Sequence, residues 1–328
     1  MIRFAIIGAG RIGQVHARAI ASHPQAVLTL VYDAFEAPAK TLAEAHGARY
    51  TLSVEDVYNA DDVDAVIIGS PTAMHVEQIL GSVKGGKRVM CEKPVALGMD
   101  EALRCQAELG AEASRVMLGF NRRFDPSFAE VNARVAAGEI GALQQLTVTS
   151  RDPQGPPASY VAGSGGIFKD MTIHDFDMVR FFLGDIVEVS AFGTNADEEI
   201  KAAGDFDQAM VLLRNADGAL ATIVNSRTCA YGYDQRLEAF GADGALSADN
   251  LTATSVRAAS ATQTDARGPV LNFFLSRYEA AYRDELGAFI DAVVADGDIS
   301  PNVIDGVEAL KLAEAATVSA REGRTVRL

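Results

Sequence analysis

The short apolar run Val89-Met90-Cys91 ends in Glu92-Lys93-Pro94, about 80 residues after Gly8-Ala9-Gly10-Arg11-Ile12-Gly13. Lysine can hydrogen-bond a reacting oxygen and stabilise the negative charge that develops on it. The three glycines follow an apolar run and open a helical stretch. In that setting G-x-G-x-x-G lets backbone N–H groups approach a pyrophosphate at a helix N-terminus. Asp33 stands 20 residues after Gly13 at the end of the second apolar run, where a carboxylate can hold ribose hydroxyls. That charge would repel a 2′-phosphate, and Ala34 and Phe35 supply no cation, so NAD is expected over NADP. Arg11 is the one loop charge acting the other way.

Ser70-Pro71-Thr72 ends the run 65–69, so its backbone and Thr72 can line the cofactor. An ordinary strand-to-helix turn explains these residues nearly as well. His75 is expected on a helix surface near the cleft rather than in catalysis. With Glu92 and Lys93, these residues complete the expected cofactor site.

Alcohol oxidation by NAD needs a base for the hydroxyl proton. Of five histidines, His16, His23 and His46 fall on or just after helical stretches of the first part, where bland roles suffice. His174 lies in Lys169-Asp170-Met171-Thr172-Ile173-His174-Asp175, after a glycine-rich segment. Asp170 precedes it by four residues, a spacing that places both on one helix face. A carboxylate there could orient the imidazole and stabilise its charged form. The competing reading makes Asp170 an N-cap and His174 a packed side chain. No tyrosine is followed four residues later by lysine, and three scattered cysteines furnish no zinc site. Lys93, Asp170 and His174 are the remaining catalytic set, with no metal expected.

Positioning these groups requires a parallel α/β framework. Apolar runs at 2–7, 27–32, 65–68, 88–91 and 116–119 alternate with helical stretches, which predicts βαβ units and a doubly wound sheet. After Phe120 the texture changes. A helix is expected at 126–137, a strand at 143–150 and a helix at 171–183 closed by Gly184. Strands are expected at 186–194, 208–213, 219–226 and 236–241, with hairpin turns at Asp217-Gly218 and Asp243-Gly244. The fold class is therefore α/β: a Rossmann domain at 1–121, then an α+β domain at 122–328 with an open-faced, largely antiparallel sheet. Near the end, Tyr278, Tyr282, Leu286, Phe289, Ile290 and Val293 share one helical face, and Ser300-Pro301 reads as an N-cap with proline at N1.

The 328 residues carry a net charge of −15, with 48% hydrophobic and 22% charged residues. Nucleic acid and anionic membranes are unsuitable partners for such a surface. No stretch approaches the ~20 apolar residues of a membrane span. The N-terminus enters a strand directly, and Cys91, Cys105 and Cys229 suit reduced thiols, so a cytoplasmic location is expected.

The glycine fingerprint, Glu92-Lys93-Pro94 and Asp170-x-x-x-His174 together resemble the Gfo/Idh/MocA oxidoreductase family over essentially the whole chain. The segments 119–125, 150–153, 165–168 and 231–235 are most similar to its bacterial inositol dehydrogenases. The resemblance implies NAD-dependent oxidation of myo-inositol to 2-keto-myo-inositol in inositol catabolism. His174 would be the base, Asp170 its partner, and Lys93 the group that stabilises the alkoxide. Arg122, Asp152 and Tyr233 would hold ring hydroxyls, and the open sheet would pack subunits into a homotetramer. A dehydrogenase of another inositol or an aldose, and a non-catalytic NAD-binding sensor, are the rival readings.

Overall fold

The computed structural model describes residues 1–328, the side chains of Ala158 and Ala162 excepted. It divides into two compact units, Met1–Phe124 with Ala280–Lys311, and Asp125–Glu279 with Leu312–Leu328. The expected division at 121/122 therefore misplaces residues 280–311, which return to the first unit. Contiguous composition cannot register such a return.

In the first unit β1 (Ile2–Ile7), β2 (Ala26–Tyr32), β3 (Arg49–Thr51), β4 (Ala65–Ile68), β5 (Arg88–Cys91) and β6 (Val116–Leu118) form one sheet. Its order is β3-β2-β1-β4-β5-β6 and every pair is parallel. Every residue of β4 is fully buried, as a central strand covered on both faces requires. The periodicity missed β3, three residues at the sheet edge whose Arg49 and Tyr50 are exposed and leave no apolar run to detect. Leu286, Phe289 and Ile290 of the helix Glu279–Ala295 join the core of β1 and β4, with the Phe289 ring 6.1 Å from that of Phe4. The following segment extends the β6 edge, where Leu118 N–H donates to Pro301 O at 3.1 Å.

Ser300-Pro301 is not the helix start. That peptide is cis, and the last helix begins at Val303. Asn302 caps it, its Oδ1 accepting from Ile304 N–H at 2.9 Å, while Asp305 Oδ2 accepts in return from Asn302 N–H at 2.9 Å. This reciprocal pairing works like a capping box, with asparagine and aspartate in place of the more usual pair.

The second unit holds β7 (Leu143–Arg151), β8 (Ile186–Thr194), β9 (Gln208–Asn215), β10 (Leu220–Ser226), β11 (Asp234–Gly241) and β12 (Ala245–Ala248). A small ribbon, β13 (Arg257–Ala258) with β14 (Ala266–Arg267), and β15 (Val326–Arg327) complete it. The large sheet runs β12-β11-β7-β10-β9-β8-β15 and is antiparallel except for β7 beside β10. Asp217-Gly218 and Asp243-Gly244 occupy the turns of the β9–β10 and β11–β12 hairpins. Strict alternation in β9 buries Ala209, Val211 and Leu213 and exposes Met210 and Leu212. Asp125 caps the helix Pro126–Ala136, accepting from Ser127 and Phe128 N–H, and forms a buried ion pair with Arg277.

Candidate active site

The first unit carries the glycine loop. Gly8 has φ +98°, and a Cβ there would lie 2.8 Å from the backbone of Gly69, so loop and β4 end touch. A Cβ on Gly13 would lie 2.0 Å from Gly8 O, which closes the turn onto the helix Arg11–Ser22. Gly10 differs: its Cβ would meet nothing within 4 Å. Gly10 is the N-cap of that helix, and neither a side-chain cap nor an acidic first-turn residue serves its amides. Open space above donor N–H groups suits a pyrophosphate, with Arg11 and Ile12 in the same first turn. Asp33 Oδ2 accepts from Ala9 N–H at 2.8 Å and Oδ1 from Phe35 N–H at 3.0 Å. The carboxylate thus braces the loop while its remaining lone pairs can accept ribose hydroxyls. The residues present fit a dinucleotide.

Ser70, Pro71 and Thr72 follow β4, and Ser70 Oγ donates to Gln78 Oε1 at 2.5 Å. His75 is not on a helix surface, contrary to expectation. It is 1% exposed, with Nδ1 2.8 Å from Pro94 O and Nε2 2.9 Å from Ser70 O. Burial holds its pKa below the ordinary imidazole value, against the pull of the two carbonyls towards the charged ring. His75 is therefore a strut between two loops and offers no face to a ligand. The helical period put it on the helix; what the period could not show is that β5 ends alongside.

Lys93 follows β5 in a cis Lys93-Pro94 peptide. Glu92 accepts at Oε1 from Nε2 of His16, 2.8 Å away, and His16 is fully buried. Cys91 is also buried, which pushes its thiol well above the ordinary range, so no nucleophilic cysteine accompanies the lysine. Arg122 is 4% exposed in the turn Asn121–Phe124, and its neighbour Arg123 is tied to Ser300 Oγ at 3.1 Å and Asp305 Oδ1 at 3.2 Å.

The second unit carries the other predicted residues. Asp170 and His174 do not share one helix: a short helix ends at Asp170, and His174 is the second residue of Ile173–Leu183. Asp170 accepts from Tyr160 Oη at 3.0 Å and from Arg227 Nη1 at 3.0 Å. Arg227 is 1% exposed and also donates to Asp205 Oδ2 at 3.2 Å. Asp205 in turn accepts from Ile167 N–H at 3.0 Å, so the pair anchors the short helix at both ends. Around His174, Thr172 Oγ1 donates to Asn225 Oδ1 at 2.6 Å. Fully buried Asp175 accepts from Ser150 Oγ at 2.5 Å and Asn225 Nδ2 at 2.8 Å. Hydrogen bonds to a buried charge contribute about 1.5–3 kcal/mol each, so the start of the His174 helix is firmly fixed to β7 and β10. Arg227, Asp205, Asp175, Ser150 and Asn225 were missed because their partners lie 22 to 57 residues away.

Sheet register brings two of the substrate candidates, Asp152 and Tyr233, together. Arg151 pairs with Asp234 and with Ser226, so Asp152, Tyr233 and Arg227 emerge at one end of β7, β11 and β10. Tyr233 is 7% exposed, edge-on to Tyr278 with ring centroids 6.0 Å apart. Beside it Asp234 has its pKa lowered to about 2: burial alone would raise it, but Arg236, Tyr231 and Asn250 outweigh that.

Comparisons with known proteins agree along the whole length. Residues 2–120 match the family described as an oxidoreductase family with an NAD-binding Rossmann fold. Residues 128–247 match the GFO/IDH/MocA C-terminal domain. An inositol 2-dehydrogenase of Rhizobium meliloti (strain 1021) is 42% identical over 330 residues, covering 100% of this chain and 99% of that protein. The crystal structure of a myo-inositol dehydrogenase from Corynebacterium glutamicum superposes with TM-score 0.97 at 52% identity, covering 100% and 99%. That of scyllo-inositol dehydrogenase from Lactobacillus casei with bound NAD(H) and scyllo-inositol gives 0.88 at 30% identity, covering 100% and 98%. With both domains matched and the glycine loop built for a dinucleotide, the chain belongs to the GFO/IDH/MocA family of NAD-binding oxidoreductases.

Proposed function

We propose that this protein is an inositol 2-dehydrogenase that oxidises myo-inositol to 2-keto-myo-inositol in inositol catabolism. The full-length likeness to the Rhizobium enzyme carries this reading. When bound, NAD accepts the hydride from the carbinol carbon. His174 takes the hydroxyl proton and Lys93 stabilises the developing alkoxide. Asp170, beside the buried Arg227 guanidinium, serves the His174 segment as a fixed carboxylate. Arg122, Asp152 and Tyr233 supply directional hydrogen bonds for the remaining hydroxyls of a polyol ring.

The same reading includes assembly as a homotetramer. Phe192, Met210, Leu212, Leu220 and Phe240 are exposed, and all come from β8 to β11. In register Phe192 opposes Met210, which shares its face of β9 with Leu212, an apolar patch of the kind that a second subunit covers. The proposal also places the protein in the cytoplasm: Cys91, Cys105 and Cys229 are buried, unpaired thiols, and among the described residues no helix is long and apolar enough to cross a membrane.

An NAD-reduction screen across myo-, scyllo- and chiro-inositol and common aldoses tests the reading. Fastest turnover with myo-inositol supports it, and preference for scyllo-inositol would favour the specificity of the Lactobacillus relative. NAD binding without reduction by any polyol would indicate a sensor. His174→Ala should lower kcat by about 10² or more, the usual contribution of a positioned base, with NAD affinity retained.

A further inference from the structure

The two buried histidines of the first unit contact the chain neighbours of the lysine, one on each side in sequence. His16, on the helix that opens at the glycine loop, holds the side chain of the residue before Lys93. His75, at the start of the helix after β4, holds the carbonyl of the residue after it. Neither ring is needed as a ligand, and both cost something to bury. His16 Nδ1 is buried with no hydrogen-bond partner, and His75 places both ring nitrogens against carbonyl oxygens, which only a doubly protonated ring could satisfy together. A merely space-filling position would take an apolar residue at lower cost. Room is also kept for the Glu92 carboxylate, since a Cβ on Gly119 would lie 2.9 Å from its Oε2.

We propose that His16 and His75 are positioning residues for Lys93, a brace that fixes the Glu92-Lys93-Pro94 loop to the two elements cradling the cofactor. The carboxylate of Glu92 can only accept, so His16 Nε2 carries the proton in that contact. His75 ties the same loop to Ser70. The lysine is thereby placed relative to the dinucleotide cradle by contacts on both its neighbours, which suits a group whose value in catalysis depends on sub-ångström placement. This rests on the dehydrogenase reading for what Lys93 does, but the brace itself can be tested without turnover.

Conservative variants separate the contacts. Gln at 16 keeps a donor where Nε2 stands, and Leu removes it. Asn at 75 keeps a donor towards Pro94, and Gln keeps one only towards Ser70. Amide hydrogen exchange of the free protein is followed in peptides covering residues 90–98 and, as an internal reference, in β1. His16→Leu and His75→Gln should raise exchange in 90–98 by about tenfold or more with β1 little affected, and His16→Gln and His75→Asn should protect the loop far better. In parallel, His16→Leu and His75→Gln should lower kcat for inositol at least about tenfold with KM changed much less, and the two donor-keeping variants should recover most of it. Equal exchange in all four variants, or a rise spread evenly over loop and β1, would overturn the brace. If one histidine proves indispensable for folding, the other pair still decides it. A wild-type chain that reduces no NAD with any polyol would refute the dehydrogenase reading, leaving the exchange pattern to judge the brace alone.

Discussion

Gly10 and Gly13 make the sharpest contrast in the cofactor loop, because a methyl group added at each should do opposite things. At Gly13 the new Cβ would sit 2.0 Å from Gly8 O, whereas ordinary contact begins at 3.4 Å, so backbone must yield by 3.4 − 2.0 = 1.4 Å. Overpacking of this kind costs about 1–3 kcal/mol, and a backbone obstacle belongs at the upper end. At about 2–4 °C per kcal/mol, Gly13→Ala should lower the melting temperature of the cofactor-free protein by about 4–12 °C. At Gly10 the backbone (φ −69°, ψ −164°) accepts alanine and the methyl meets nothing. Gly10→Ala should therefore fold normally and melt close to wild type, since losing glycine's unfolded-state freedom stabilises by about 0.4–1 kcal/mol and alanine's poorer fit at an N-cap offsets a similar amount. Its methyl would, however, stand in the space assigned to the pyrophosphate, and we expect NAD affinity to fall about tenfold or more, equivalent to about 1.4 kcal/mol. Differential scanning fluorimetry without cofactor and a fluorescence titration with NADH measure the two effects. Wild-type NADH affinity in Gly10→Ala would refute the pyrophosphate cradle, and a wild-type melt for Gly13→Ala would refute the close approach to Gly8.

Asp33→Ser should raise NADP use relative to NAD in parallel initial-rate assays, and an unchanged ratio would deny Asp33 the ribose; the lost bond to Ala9 N–H should also lower affinity for both. Arg227→Met strips the charge partner from Asp170 and Asp205 inside the second unit, so urea unfolding should show a loss of about 3–5 kcal/mol, and a loss below 1 kcal/mol would make the pair incidental. The folded-state pKa of His75 lies below its unfolded value of about 6.5, so its contribution to stability is complete above that pH and is lost as pH falls through the lower folded value. Unfolding free energies from pH 7.5 down to 5 should therefore decline, and His75→Asn should flatten that part of the slope. Cys91 and Cys105 are buried with thiols pushed up, Cys105 to about 12, so a thiol reagent should react with them only upon unfolding.

Local pattern carried much of this molecule. Continuous apolar runs located β1, β2, β4, β5 and β6, and the glycines at 8, 10 and 13 mark a turn whose close contacts require them. Turn chemistry located the hairpins at Asp217-Gly218 and Asp243-Gly244. Failures came where the deciding partner is distant. Asp170 looked as if it shared one continuous helix with His174, yet one helix ends at Asp170 and the next opens at Ile173, and the carboxylate also meets Arg227, 57 residues on. His75 looked like a surface residue until Pro94 and Ser70 closed around it. Ser300-Pro301 imitated a helix start two residues early, because Asn302 supplies the cap. Spacing along a chain reports neighbours within a turn or a strand, and burial with long-range pairing decides the rest.

Leu286, Phe289, Ile290 and Ile299 share a core with Phe4, Ile6 and Met90. A ribosome reaches this segment only after finishing the second unit's large sheet apart from β15. The nucleotide module therefore stays incomplete, with part of its core open, until synthesis is nearly over. An excised fragment ending at residue 121 would lack the same cover and should aggregate or bind NAD poorly. A chimaera meant to exchange cofactor preference between relatives must transplant 280–311 along with the N-terminal residues, a requirement that linear domain boundaries conceal.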